Sequence, residues 1–193
     1  MKHSSAINCF VVLPVFLYTT CNNTYQTQGN DQSAEDCRQL KINDKGFIQL
    51  AKKEEPGEPL IVYGKILDKE TKQPVKNASL FLYQTDSSGI YNTTGIDRDA
   101  RIKGTVYSSE TGCFKIQTIL PGDYPGNKNS RHLHYIIKAR GYKELKSALF
   151  FKGFTTPNLT DQGPLIILNI KKENTEQWTG TTDFYLEDSS EAK

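Results

Sequence analysis

Histidine is scarce in this chain of 193 residues. Only three occur, His3, His132 and His134, and His3 lies beside an apolar N-terminal stretch. Any metal site in the rest of the chain is therefore limited to a single pair of imidazoles. Further ligands would have to come from carboxylates, tyrosines or thiols.

Strong net charge and basic clusters are also lacking. The 24 Lys and Arg residues nearly balance the 22 Asp and Glu residues, which gives a net charge of only +2 at pH 7. A nucleic-acid-binding protein needs a basic patch to contact phosphates, so the composition argues against that class. The sequence also contains no nucleotide-binding glycine loop and no internal repeat.

The longest apolar run lies near the N-terminus, at Cys9–Tyr18, and is too short to span a bilayer as a mature helix. Thr19-Thr20-Cys21 follows it, and small residues before a cysteine resemble a bacterial lipoprotein signal. We therefore predict that residues 1–21 form a signal peptide and that Cys21 is lipidated. This would tether an exported protein to a membrane, in the periplasm or at the outer membrane. Cleavage without a lipid, followed by secretion, is the alternative.

Two cysteines, Cys37 and Cys113, remain in the folded part after removal of the leader and lipidation of Cys21. In an oxidising compartment they either form a disulfide that ties the N-terminal arm to the sheet or remain free thiols.

The composition of the chain changes near residue 59. Residues 22–59 are polar and charged, which predicts an extended N-terminal arm with at most a short ordered patch at Gly46–Leu50. Residues 60–188 contain short apolar runs separated by turn residues, which predicts one folded domain. Residues 189–193 are assigned to a tail.

The short apolar runs predict about eight strands with no helix between them. Such a pattern is typical of an all-β sandwich or barrel, and we predict a β-sandwich of mostly antiparallel strands. The predicted strands are Leu60–Leu67, Ser79–Gln84, Ile102–Tyr107, Cys113–Ile119, His132–Ala139, Ser147–Phe151, Leu165–Ile170 and Thr182–Leu186.

The histidine pair lies at the start of one predicted strand. Alternate strand residues share a face, so His132 and His134 should lie side by side. A tight Pro121-Gly122 turn is predicted just before Tyr124, and Pro125 favours an extended backbone at that tyrosine. A His-x-His pair alone is more often two ordinary side chains than a metal site. These residues are therefore candidate ligands, and further residues have to decide between the two interpretations.

A series of motifs follows in order through the predicted domain. The series includes Tyr124, a second tyrosine at position 91 and both histidines. The motifs are Gly64–Asp68, Gln73–Asp86, Gly89–Tyr91, Gly104–Pro125, the His-x-His pair, Phe150–Gly153 and Asp183–Leu186. Together they resemble the intradiol ring-cleavage dioxygenases, the non-haem ferric enzymes that open catechols. The resemblance covers essentially the whole predicted domain and implies the same β-sandwich.

The resemblance also implies a ligand set for Fe(3+). Tyr91 follows an Asp-x-x-Gly turn and Tyr124 lies in a Pro-Gly-x-Tyr-Pro segment, and each matches one of the family's two tyrosine ligands. His132 and His134 match its two histidines. Ferric iron is a hard Lewis acid, and phenolates supply the anionic oxygen that it favours.

The implied reaction uses O2 to cleave a catechol-type ring between its two hydroxyls, giving a muconate-type diacid. By analogy with the family, the substrate displaces Tyr124, which takes up a substrate proton. The same analogy implies that His134 would lie opposite Tyr124 and that Tyr91 and His132 would stay in the equatorial plane. A homodimer assembled through the N-terminal arm is a further expectation from the resemblance.

Two positions depart from the family pattern. Asn129 occupies the position of an arginine that balances substrate charge, which leaves Arg131 as the candidate for that catalytic role. Ala148 replaces a supporting glutamine. A catechol or iron binder without turnover is therefore one alternative. The other is a non-catalytic binding module, because the opening motifs also resemble prealbumin-like domains of surface proteins.

Two other residues have mainly structural interpretations. Trp178 is predicted to pack the end of the sandwich rather than to stack on substrate. Arg101 belongs to a charged loop that most simply faces solvent, with recognition of a substrate carboxylate as the alternative.

Overall fold

The structure is a computed structural model that describes residues 31–92, 99–128, 130–155, 166–173 and 176–191. The predicted leader, including Cys21, lies outside these residues, as does Asn129. In the part described, no helix has the length and apolar character needed to cross a membrane.

Strands dominate the described residues, and one short α-helix precedes them. The elements in chain order are α1 (Asp31–Arg38), β1 (Phe47–Gln49), β2 (Pro59–Asp68), β3 (Ser79–Gln84), β4 (Ile102–Tyr107), β5 (Cys113–Ile119), β6 (Ser130–Lys138), β7 (Leu145–Thr155), β8 (Ile166–Leu168), β9 (Ile170–Glu173), β10 (Gln177–Thr181), β11 (Phe184–Leu186) and a 3-10 helix at Ser189–Glu191.

The strands form two sheets. The first has the order β1-β5-β2-β10-β9, with β11 also paired to β2, and the second has the order β4-β3-β6-β7-β8. Antiparallel pairing joins β2 to β5, β3 to β4 and β6, β6 to β7, and β9 to β10. Parallel pairing joins β1 to β5, β2 to β10 and β11, and β7 to β8. The predicted all-β fold is confirmed, with more strands and more parallel pairing than expected.

One cluster of buried apolar side chains from both sheets forms the core. On β6, Leu133, Tyr135 and Ile137 are fully buried. His132 and His134, at the alternate positions of the strand, are half-buried. This alternation follows from the two-residue period of a strand. The two histidines therefore lie on the outer face of the second sheet, and the apolar residues beside them anchor β6 in the core.

The described part of the N-terminal arm, which begins at residue 31, packs on the first sheet. Cys37 of α1 is fully buried and forms a disulfide with Cys113 at the start of β5. The amino group of Lys115 donates hydrogen bonds of 2.6 and 2.7 Å to the carbonyl oxygens of Arg38 and Leu40 at the end of α1. A cation at a helix C-terminus satisfies carbonyls that have no partner within the helix.

Three strands, β3, β4 and β5, have the predicted bounds. The predicted strand Leu165–Ile170 is instead divided, because β8 joins the second sheet and β9 joins the first, with Asn169 between them. Strand β10 and helix α1 were not predicted. Trp178 of β10 contacts Phe154 of β7 edge to face, with ring centroids 5.2 Å apart. This contact between the two sheets agrees with its predicted packing role.

Candidate metal centre

The strands on either side of β6 hold the two histidines by aromatic contacts. Tyr83 of β3 lies opposite His134, and their rings stack with centroids 4.5 Å apart and planes 13° apart. Phe150 of β7 lies opposite His132, with ring centroids 5.5 Å apart. Cross-strand packing of this kind limits the rotation of both imidazoles.

Tyr91 and Tyr124 come from two segments whose backbones touch. A Cβ atom at Gly89, where φ is +85°, would lie 1.7 Å from the carbonyl oxygen of Asp123. A Cβ atom at Gly122 would lie 2.5 Å from the backbone nitrogen of Gly89. Only glycine allows such close approach, so these two glycines bring the two tyrosine-bearing segments together.

The turn at Tyr124 follows the tyrosine, whereas the sequence predicted a turn before it. The backbone nitrogen of Asn127 donates a 2.9 Å hydrogen bond to the carbonyl oxygen of Tyr124. Pro125 and Gly126, with φ of +78° at the glycine, occupy the central positions, as in a type II turn. Pro121-Gly122 does not form a turn. Gly122 instead donates a 2.8 Å hydrogen bond to the carbonyl oxygen of Asp86.

The structure brings the donor atoms of the four predicted ligands together. Tyr91 Oη lies 2.6 Å from Tyr124 Oη, and Tyr124 Oη lies 3.0 Å from His132 Nε2. His132 Nε2 in turn lies 2.8 Å from His134 Nε2. All four side chains are half-buried, so the cluster is accessible at the protein surface.

Two of these three distances, 3.0 and 2.8 Å, have the length expected between neighbouring ligands of one metal ion, and the two tyrosine oxygens lie slightly closer together. Metal bonds to nitrogen and oxygen of roughly 2.0–2.2 Å, at right angles to each other, place the donor atoms about 2.8–3.1 Å apart. Among the described residues, no three His, Cys, Asp or Glu side chains are grouped to hold a metal ion. The tyrosines Tyr91 and Tyr124 are therefore needed to complete a ligand set around the histidine pair. Two phenol oxygens with two imidazole nitrogens form a hard donor set suited to Fe(3+).

A backbone carbonyl orients His132. Nδ1 of this residue lies 2.5 Å from the carbonyl oxygen of Ser130, which can only accept a hydrogen bond. The proton of the neutral ring must then be on Nδ1, so the lone pair of Nε2 lies on the side of Tyr124 Oη and His134 Nε2. Such a hydrogen bond fixes both the tautomer and the orientation of a metal-binding histidine.

Arg131, the predicted charge-balancing residue, lies where the β6–β7 pairing shifts between Ser130 and His132. Its Nε donates to Asp123 Oδ2 at 3.5 Å, and its guanidinium lies 5.0 Å from the centre of the Phe154 ring. The side chain is thus beside the residue that precedes Tyr124. Its catalytic role stays a prediction.

Arg101 is exposed, as predicted, and it also ties the N-terminal arm to the Tyr91 segment. Its guanidinium donates two hydrogen bonds of 2.6 and 2.7 Å to Glu55 and lies 3.4 Å from Asp86. Its backbone nitrogen donates to the carbonyl oxygen of Tyr91 at 2.8 Å. The hydrogen bond from Arg101 is the main cause that lowers the pKa of Glu55. Burial acts to raise the pKa of Asp86, but hydrogen bonds from Ser88, Ile90 and Arg101 outweigh it and lower this pKa.

Sequence reasoning missed the supporting role of Tyr83 and Ser130 and the anchoring role of Arg101. Tyr83 shares the outer face of β3 with Ser79 and Phe81, as the two-residue period of a strand requires. Its position opposite His134, however, depends on the pairing register of two strands that are far apart in sequence.

A family model described as Dioxygenase matches residues 36–162. The chain belongs to the intradiol ring-cleavage dioxygenase family. The resemblance described from the sequence motifs is therefore confirmed. The matched residues of this dioxygenase-family chain include the four predicted ligands.

Several known proteins are similar to this dioxygenase-family chain. Catechol 1,2-dioxygenase of Acinetobacter baylyi is 25% identical over 129 residues, which are 56% of this chain and 41% of that protein. 6-Chlorohydroxyquinol 1,2-dioxygenase of Cupriavidus pinatubonensis is 32% identical over 115 residues, which are 50% of this chain and 41% of that protein. The chain thus matches about two fifths of the length of these relatives.

Solved structures support the fold. The dioxygenase domain of a dioxygenase carbohydrate-binding protein fusion from Streptomyces sp. SirexAA-E has a TM-score of 0.60 and 30% identity, covering 78% of this chain and 93% of that domain. 3-Chlorocatechol 1,2-dioxygenase of Rhodococcus opacus has a TM-score of 0.61 and 23% identity, covering 74% of this chain and 64% of that enzyme. The second comparison concerns the fold alone.

Proposed function

We propose that this protein is a non-haem ferric dioxygenase that cleaves catechol-type rings between their two hydroxyl groups. The observation that carries the proposal is the convergence of Tyr91 Oη, Tyr124 Oη, His132 Nε2 and His134 Nε2, with neighbouring donor atoms 2.6–3.0 Å apart. Membership of the dioxygenase family and the names of the relatives support the substrate class.

The four side chains would hold Fe(3+). Bound ferric iron supplies Lewis-acid activation of a chelated catechol towards O2, and the product is a muconate-type diacid. Each distance of 3.0 Å or less joins two donor atoms that the family arrangement places next to each other. The donor set therefore supports Fe(3+) as the metal that these four residues would hold.

Tyr124 has the best placement to receive a substrate proton. A catechol loses two hydroxyl protons when it binds as a dianion; a phenolate oxygen can accept one of them, and a displaced hydroxide would accept the other and leave as water. Once protonated, Tyr124 Oη can donate to Tyr91 Oη, which lies 2.6 Å away and keeps a free lone pair as a metal-bound phenolate. Tyr124 lies before β6 in the chain, at the start of the Pro125-Gly126 turn, so its side chain can rotate without displacing the histidines.

The test is a visible absorption spectrum with iron analysis on the chain that begins at Asn22, before and after addition of catechol. We expect a tyrosinate-to-iron charge-transfer band that shifts with catechol, together with steady O2 uptake. Tyr91→Phe and His132→Ala should lose iron at concentrations that saturate the parent. Tyr107→Phe is the matched control, because this tyrosine of β4 is 55% exposed and lies outside the proposed ligand set.

Two results would contradict the proposal in different ways. A protein that stays colourless after reconstitution with ferric iron would be a non-catalytic sandwich module. A coloured protein without O2 uptake on catechol or hydroxyquinol would be a binder without turnover, which is the alternative based on Ala148 and Asn129.

We also propose that the chain is exported and lipidated at Cys21. The leader pattern supports this location, as does the Cys37–Cys113 disulfide, because disulfides persist mainly in oxidising compartments. Cys21→Ala should move the protein from the membrane fraction to the soluble fraction of its host. An unchanged distribution, with no lipid mass on the N-terminal peptide of the parent, would contradict the proposal.

A further inference from the structure

Ser130 lies between two of the proposed ligands, and its hydroxyl group connects two parts of the Tyr124 turn. The backbone nitrogen of Tyr124 donates to Ser130 Oγ at 2.8 Å, and Ser130 Oγ donates to the carbonyl oxygen of Asn127 at 2.8 Å. A hydroxyl can accept one bond and donate another at the same time. Ser130 therefore bonds to both ends of the turn that carries Tyr124.

The backbone of Ser130 makes the connection to the histidine side. Its carbonyl oxygen accepts the hydrogen bond from His132 Nδ1 at 2.5 Å. Its nitrogen donates to Asp123 Oδ1 at 2.8 Å, while the other oxygen of that carboxylate lies 3.5 Å from Arg131 Nε. The β6–β7 register shifts between Ser130 and His132. Such an irregularity turns backbone groups away from the regular ladder, which makes them available for other partners.

We propose that Ser130 is a positioning residue that sets the placement of Tyr124 relative to His132 at the metal centre. The proposal rests on the proposed function, because these two residues matter together only as ligands. The hydroxyl of Ser130 restrains the backbone of Tyr124, and the carbonyl of Ser130 orients the imidazole of His132. One residue thereby keeps Tyr124 Oη within 3.0 Å of His132 Nε2.

Only the restraint on Tyr124 depends on the serine side chain, because the bond to His132 is made by the backbone carbonyl. Alanine would keep the backbone bonds to Asp123 and His132 but would lose both bonds made by the hydroxyl. Threonine keeps a hydroxyl that can accept and donate. Comparison of the two variants therefore separates the hydroxyl's restraint on Tyr124 from the carbonyl's restraint on His132.

The experiment measures ferric-ion affinity and the charge-transfer band of Ser130→Ala and Ser130→Thr, with thermal unfolding of each apo protein. The matched control is Ser109→Ala. Ser109 Oγ also accepts backbone hydrogen bonds, from Thr111 and Cys113 at 3.2 and 3.1 Å, but it lies at the other end of β5 from the Tyr124 turn.

We expect Ser130→Ala to bind ferric iron about 10-fold more weakly, the size of effect seen when a group supporting a metal ligand is lost. Its band should shift because Tyr124 is less restrained. Ser130→Thr should recover the parent affinity and band. Ser109→Ala should match the parent in both, even if it lowers the unfolding temperature as much as Ser130→Ala does.

Ser130→Ala with the affinity and band of the parent would overturn this inference while leaving the metal site in place. A parent that binds no ferric iron would overturn the proposed function and this role with it. A third measurement does not depend on folding of the variant. Side-chain 15N shifts of the apo parent should place the proton of His132 on Nδ1, and a proton on Nε2 would contradict the carbonyl's role.

Discussion

At the residue scale, Gly89 decides whether the two tyrosine-bearing segments can meet. Replacement by alanine would place Cβ 1.7 Å from the carbonyl oxygen of Asp123, at a backbone φ of +85°. Because the segments must separate, we expect Gly89→Ala to lose iron binding. The free energy of unfolding should fall by about 2–4 kcal/mol, from strain and overpacking together. Iron titration and urea unfolding measure the two effects.

Gly141→Ala is the matched control for Gly89→Ala. Gly141 has almost the same φ, +86°, but a Cβ atom there would meet nothing within 4 Å. This variant should lose only about 1–2 kcal/mol from the left-handed backbone conformation and should bind iron normally. Equal effects of the two variants would show that backbone strain matters here and that the close approach of the two segments does not.

The stack of Tyr83 on His134 leads to a second prediction at this scale. Tyr83→Leu keeps an apolar side chain in β3 but removes the ring that lies 4.5 Å from the imidazole. We expect about 10-fold weaker iron binding, because His134 gains rotational freedom that binding must then remove. Phe81→Leu is the control, since Phe81 precedes Tyr83 on the same face of the strand and contacts its ring at 5.8 Å. Equal losses in both variants would contradict a specific role for the stack.

At the element scale, the disulfide anchors α1 to the start of β5, whereas the Tyr124 segment follows the end of that strand. The bridge joins residues separated by 76 positions. Chain-entropy arguments for a loop of this size predict that the disulfide stabilises the folded state by about 4 kcal/mol, and measured stabilisation is often smaller. We therefore expect the free energy of unfolding, measured in urea, to be about 2–4 kcal/mol lower in the double variant Cys37→Ser, Cys113→Ser. Iron affinity should be unchanged, and a large loss of affinity in the folded variant would show that the arm also shapes the site.

The cluster of Glu55, Arg101 and Asp86 predicts a pH dependence of stability. The pKa values of both carboxyls are lowered in the folded state. The two carboxylates therefore contribute fully to the free energy of unfolding above the pKa values of the unfolded chain, near 4. This contribution is lost as the pH falls through the lower pKa values of the folded state. Arg101→Met should remove about 1 kcal/mol at neutral pH, a small effect because half of this side chain is exposed. The difference from the parent should shrink below about pH 4.

Urea unfolding between pH 7 and pH 3 tests this dependence. Lys138→Met is the matched control, because Lys138 pairs with Glu144 at 2.8 Å on an exposed surface, at the opposite end of β6 from the histidines. Parallel stability curves for the parent and Arg101→Met over the whole range would contradict a linkage between this cluster and folding.

Strands were predictable where several apolar residues alternate or are consecutive. Strands with few apolar residues were not predictable. The runs Ser79–Gln84 and Cys113–Ile119 are apolar enough to be recognised, and the structure gives them the same bounds. In β10, Trp178 is the only large apolar residue, so the sequence gives little sign of a strand. Helix α1 is polar, and it is held by the disulfide and by Lys115, which are tertiary contacts.

The candidate ligands were predictable because each lies in a recognisable local motif. Their supports were not, because each depends on a contact between separate segments. Gly89 meets Asp123 across two segments, and Tyr83 meets His134 through the register of two strands. Sequence patterns report local geometry well, whereas the pairing of distant segments is fixed only when the two sheets pack.

At the scale of the whole molecule, the core and the candidate metal centre occupy different parts of the second sheet. The core lies between the sheets, while the histidines lie on the outer face of β6. Substitutions of ligand side chains therefore remove few core contacts. For this reason His132→Ala should remain folded without iron, which makes loss of iron in such a variant interpretable as loss of a ligand.

The apolar cluster that the two sheets share also predicts that both sheets unfold together. Trp178 of the first sheet donates a hydrogen bond to Glu58 and contacts Phe154 of the second sheet, so its fluorescence reports on the junction between the sheets. Because one apolar cluster includes residues of both sheets, we expect a single cooperative transition. Tryptophan fluorescence and far-UV circular dichroism should give the same midpoint in urea. A tryptophan transition at lower urea than the loss of strand signal would mean that the β9–β10 edge opens first, as a separate unit from the sheet that carries the histidines.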